Sequence, residues 1–89
     1  MPDVQTEVVV TVRYFAAARA AAGIEDELVT VAAGTTVAML IGILATKNAE
    51  LAQVLQRCSY LCDELAVRDP GLVLRTQHTL DVLPPFAGG

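Results

Sequence analysis

In the stretch EVVVTVRYF, Glu7 to Phe15, Val8, Val10, Val12 and Tyr14 occupy alternate positions. They fall on one face. Thr11 and Arg13 fall on the other, with Val9 and Phe15 beside them. A period of two filled with β-branched and aromatic residues predicts a strand with one packed face. A helix would scatter the same four residues around its circumference. The fold is therefore constrained first of all to contain a sheet.

The following residues change character. Ala16 to Ala22 are strong helix formers and Gly23 stops them. Glu27 to Val31 reads as a second strand, so the two strands form an antiparallel hairpin with a long connection. Ala33-Gly34-Thr35-Thr36 is a turn into a helix, with Thr36 at the N-cap. Val37, Leu40, Ile41 and Leu44 share one helical face. Met39 and Ile43 make the opposite side apolar as well. Either the chain's own loops cover that side, or it meets a partner or a second copy. A further helical piece spans Glu50 to Arg57, with Leu51, Val54 and Leu55 together.

Tyr60 to Cys62 and Leu65 to Val67 are short strands around Asp63-Glu64, and Asp69-Pro70-Gly71 is a turn. Leu80 to Leu83 is the last strand, with Leu80 and Val82 facing one way and Asp81 the other. Pro84-Pro85 ends pairing, because neither residue can donate a ladder hydrogen bond. The order predicts an α+β domain over residues 1–83, with residues 1–6 disordered. One main helix packs on a mixed sheet of about four to five strands. Residues 84–89 form an extended tail.

Several function classes are excluded. With 10 acidic and 6 basic residues the net charge is −4, and the Lys and Arg residues are scattered. Nucleic acid is not expected as a partner, since phosphate binding needs clustered cations. No apolar run approaches the length of a membrane span, and the start MPDVQTE is not a secretory signal. Cys58 and Cys62 lie four apart, which fits neither a CxxC redox pair nor half of a zinc site. They read as small buried or half-buried residues of a reduced, cytoplasmic protein. His78, within Thr76-Gln77-His78-Thr79, reads as an exposed turn residue, with no second histidine to join it. Glu25, Asp26 and Glu27 read as a solvated loop. No metal site, bound cofactor or catalytic constellation is expected on this chain.

What remains is the end, LPPFAGG. The six residues after Leu83 span about 20 Å if extended. Pro84 and Pro85 stiffen the approach and lower the entropy lost on threading. Gly88 and Gly89 have no Cβ, so a tunnel can close tightly around them. The group delivered is then the carboxylate of Gly89, which becomes an acyl donor once it is activated by adenylation.

Three stretches carry a likeness: VTVRYFAAARAAAG from Val10 to Gly23, GTTVAMLIGIL from Gly34 to Leu44, and LDVLPPFAGG from Leu80 to Gly89. Together they resemble the ubiquitin-like sulfur carriers, and most closely the small subunits of molybdopterin synthase. YFAAAR favours the molybdopterin branch over the thiamine branch. The resemblance implies a β-grasp fold. It also implies that a ubiquitin-activating-type adenylyltransferase spends ATP to adenylate Gly89, and that a sulfur donor protein then supports its conversion to a thiocarboxylate. The tail would thread into the large synthase subunit, within a heterotetramer, and give its sulfur to cyclic pyranopterin monophosphate. The large subunit would supply the catalytic residues. Gly88 and Gly89 match the family's terminal pair. Phe86, Ala87 and Pro85 occupy the threading positions, and the resemblance implies that Phe15 and the apolar sheet face near the tail would be docking contacts.

The chain departs from the family pattern in two places. Thr76 to Thr79 replaces a common Gly-Asp turn, and Met39 stands where a polar residue is common. Three other roles compete with this one: sulfur delivery to thiamine or cysteine synthesis, a protein modifier joined to lysines through Gly89, and a plain interaction domain.

Overall fold

The alternation in the first strand sets the architecture. In the computed structural model, which describes residues 6–85, Glu7–Tyr14 forms β1 and buries Val8, Val10, Val12 and Tyr14. β2 (Asp26–Ala32) pairs antiparallel with it, Val10 opposite Val29. β5 (Thr79–Leu83) lies along its other edge, parallel, with Arg13 opposite Asp81. β3 (Ser59–Cys62) runs antiparallel to β5, and β4 (Leu65–Ala66) closes the far edge. The order is β2-β1-β5-β3-β4. This five-stranded mixed sheet with helices on one face is the ubiquitin-like β-grasp fold.

Local chemistry fixes the connections. α1 (Ala16–Ala22) ends at Gly23, whose φ of 81° and N–H bond to the Arg19 carbonyl close the last turn. Thr36 caps α2 (Val37–Ala45) by accepting from the Met39 N–H. Asn48 caps α3 (Ala49–Leu55) through the Leu51 N–H, and its amide donates to the Ala21 carbonyl, tying α3 to α1. Asp63 and Glu64 both take positive φ in the two-residue turn between β3 and β4, as a tight hairpin demands.

The core lies between sheet and helices. Leu40, Leu44, Leu51 and Leu74 are almost fully enclosed, with Leu80 and Val82 of β5 beneath them. Met39 and Ile43 are exposed. The loop at Pro70 and Leu72 takes hydrogen bonds from Ala38 and Val37 at the N-terminus of α2, and it leaves the two apolar side chains uncovered.

Two tyrosines give the fold a pH signature. The Tyr14 hydroxyl donates to Glu27 Oε2 at 2.6 Å, and the Tyr60 hydroxyl donates to the Leu55 carbonyl at 2.8 Å. Burial raises both, with the Glu27 bond and charge adding at Tyr14 and the Cys58 charge at Tyr60. The Cys58 and Cys62 thiols are raised in the same sense by burial, Cys62 also by Asp63. The unfolded chain therefore releases these protons first as pH rises, and the stability they contribute is present below about pH 9 and falls above it. Thermal melts should be flat up to about pH 8 and decline by about pH 11, with Tyr14→Phe shallowing the decline. A Tyr14→Phe variant with an undiminished alkaline decline would remove Tyr14 from this account.

Candidate functional site

β5 delivers the chain to the tail. β1 holds it through Val82 and β3 through Leu83, and Pro84 and Pro85 then leave the sheet. Beside Pro84 and Pro85 lies a groove of about 250 Å³, walled by Ala17 of α1 and by Gln53, Val54 and Arg57 from α3 and the turn after it. Of the residues expected to act, Pro85 and Phe15 are described. Phe86, Ala87, Gly88 and Gly89 lie outside the described residues, as do residues 1–5.

Phe15 sits where β1 turns into α1, next to the strand that launches the tail. Its N–H donates to the Val82 carbonyl at 3.2 Å, and its own carbonyl accepts from Ala18 and Arg19. Ala16, immediately after it, takes φ of 50°, a left-handed conformation that costs an alanine of order 1 kcal/mol. The ring is 38% exposed. Its backbone is thus fixed on three sides while the side chain faces outward.

One feature of this region is hidden in the linear sequence. Asp81 lies on the outer face of β5, opposite Leu80 and Val82, yet it is only 4% exposed. Arg13, its neighbour across the parallel β1–β5 pair, grips both carboxylate oxygens, Nε to Oδ1 at 2.6 Å and Nη2 to Oδ2 at 2.8 Å. The hydrogen bonds and charge of Asp81 raise the guanidinium further into its charged form. The same guanidinium lies 5.7 Å from the centre of the Phe15 ring, within cation–π range. A charge near the end of the apolar run of β1 and a single charge in β5 were the available signal, but only the strand pairing shows that they meet.

His78 differs from its expectation. It is half-buried, because the turn at Gln77 (φ 74°) folds it back. Its Nδ1 accepts from the Arg75 N–H at 3.0 Å, and Nε2 lies 3.6 Å from Asp63 Oδ2. Although distant in sequence, Cys62, Asp63 and His78 bring ligand-type atoms within 4.8 Å of one another. Here they close the end of the sheet. Asp63 Oδ1 accepts from the Thr79 N–H and His78 Nδ1 accepts from the Arg75 N–H, so both side chains are already engaged by the backbone. Burial raises the Cys62 thiol, opposite to what a nucleophile requires. Among the described residues no helix is long and apolar enough to cross a membrane.

Comparison with curated proteins gives no match. Among solved structures, the HVO 2177 protein of Haloferax volcanii shares the fold at a TM-score of 0.84 and 23% identity, covering 100% of this chain and 93% of that one. SAMP1 of Haloferax volcanii matches at 0.79 and 21%, over 91% of this chain and 99% of the other. The complex of subunits 1 and 2 of molybdopterin-converting factor from Helicobacter pylori matches at 0.70 and 20%, over 92% and 100%. At these identities the likeness is one of fold. The family model described as the ThiS family spans residues 12–89, from within β1 to Gly89, and the chain belongs to that family.

Proposed function

We propose that this chain is the sulfur-carrying small subunit of a molybdopterin synthase. The observation that carries the reading is the tail root. Phe15 is bonded to β5 at Val82, two residues before Pro84-Pro85 leave the sheet, in a ThiS-family chain whose family match runs through Gly89. The fold shared with a molybdopterin-converting factor complex adds support for a large-subunit partner.

In this reading the chain contributes no catalytic side chain and holds no cofactor. Its Gly89 carboxylate attacks ATP on a ubiquitin-activating-type adenylyltransferase, and pyrophosphate leaves. Sulfide-level sulfur supplied through a donor protein attacks the carbonyl carbon of the acyl adenylate and AMP leaves, so that Gly89 ends in a thiocarboxylate. Gly88, Ala87, Phe86 and Pro85 thread the large subunit of the heterotetramer, where sulfur passes to cyclic pyranopterin monophosphate. Two transfers complete the dithiolene. The sheet holds the root still while the narrow end enters.

A second reading is a protein modifier, favoured by the fold shared with SAMP1. A third is sulfur delivery to thiamine or cysteine synthesis, where the tail chemistry is the same and only the partner differs. Intact mass of the chain, purified from a host making molybdenum cofactor with and without the activating enzyme, separates them. The expected result is a gain equal to sulfur replacing one oxygen, located on the C-terminal peptide. Adducts the size of other proteins would favour the modifier, and an unchanged carboxylate would sink the carrier reading.

A further inference from the structure

We propose that Arg13 is a positioning residue for partner docking. Held on Asp81 by both carboxylate oxygens, it fixes the Phe15 ring, so that the docking contact and the strand carrying the tail meet a partner as one rigid surface. The inference rests on the carrier reading in taking Phe15 as a contact.

Four observations converge. The bidentate grip leaves the guanidinium plane little freedom, and its carboxylate partner is enclosed in the central strand β5. The cation lies over the Phe15 ring. The Phe15 backbone is itself bonded to β5 at Val82. The left-handed Ala16 next to it is a strained residue held in place by its surroundings, and such residues gather where geometry serves function.

Asp81 lies two residues from the point where the chain leaves the sheet. The Arg13–Asp81 pair therefore links the exposed ring to the launching strand on the outer face, the side away from the helices. An exposed phenylalanine without such a hold would sample its rotamers and lose that freedom on docking, which costs affinity. Preorganised, it loses less. Lysine cannot replace the arginine, because an ammonium has neither the planar fork nor the flat face.

The test has two parts. In the free protein, NMR should show one dominant Phe15 χ1 rotamer in the unmodified chain and averaging in Arg13→Gln. The paired variant Arg13→Gln with Asp81→Asn removes the buried charge together with its partner and keeps the test open if the single variant does not fold. Rotamer averaging in the unmodified chain would overturn the proposal.

In the second part, binding to the large subunit of molybdopterin synthase from the same organism should weaken about fivefold in Arg13→Gln and in the paired variant. Phe15→Ala should abolish that difference, and Arg13→Lys should not rescue it. Unchanged binding in both Arg13 variants, or losses that simply add to the Phe15→Ala loss, would overturn the proposal. If the unmodified chain does not bind that subunit, the molybdopterin reading fails, and Arg13 is then judged on the Phe15 rotamer alone.

Discussion

Removing Gly89, or adding one residue after it, is expected to abolish sulfur delivery and leave folding untouched. The acyl group of the carrier reading belongs to Gly89, so a displaced or lengthened end offers the activating enzyme its carboxylate at the wrong depth. Geometry that fits a glycine pair does not accept a Cβ in the same space. Folding draws on a different set of residues, because among the described residues the enclosed side chains lie between Val8 and Val82. Denaturant unfolding should therefore shift by less than about 0.5 kcal/mol. The measurement pairs that melt with an assay of molybdopterin formed in a reconstituted synthase. An extended variant that still supports formation, without being trimmed back, would rule out the thiocarboxylate. Loss of activity together with a large loss of stability would place the tail in the fold and not in the chemistry.

The largest effect on stability is expected one layer down. Leu40→Ala should destabilise the chain by roughly 3 kcal/mol and lower its melting temperature by roughly 15 °C. Leu40 is 0% exposed and packs with Val37 and Leu44 on the inner face of α2. Truncation leaves a cavity that the sheet beneath cannot fill. For a domain of this length, whose whole stability is of order 4–13 kcal/mol, that is a large share. Met39→Ala is the control. It changes the adjacent residue, which is 56% exposed, and should cost less than about 0.5 kcal/mol. Chemical denaturation of the two variants side by side decides the matter. Equal losses would mean that the orientation of α2 is wrong or that a second copy covers Met39 in solution.

Much of this fold is written locally. Val8 to Tyr14 can pack only as a strand with one inner face, Gly23 can end a helix in a left-handed turn, and Thr36 and Asn48 supply the side-chain oxygens that helix starts require. These features depend on spacings of two to four residues, and such spacings are visible without a structure. The Arg13–Asp81 pair depends on a separation of 68 residues. Asp81 could be placed on the face opposite Leu80 and Val82, but its burial could not, because burial came from a neighbour in a parallel strand. His78 differs for a more local reason, a backbone turn that its residue types do not announce. Its polar neighbours suggested exposure, whereas a positive φ at Gln77 and the Arg75 N–H turn it toward Asp63. The tail is the reverse case. Gly88 and Gly89 stand out in sequence, and they lie outside the described residues.

The parallel pairing of β1 with β5 joins the first strand of the domain to the last. On the ribosome, β2 follows β1 after one short helix, but the partner for the other edge of β1 is not made until β5, near the end of the chain. Contacts between distant segments are the slow ones to form. The residues that complete the sheet are followed at once by those proposed to carry sulfur. A nascent chain cannot present Gly89 before β5 has been made, and β5 has no place to settle until β1 and β3 receive it. In the carrier reading, the end to be loaded is thus made only after every strand that has to hold its root.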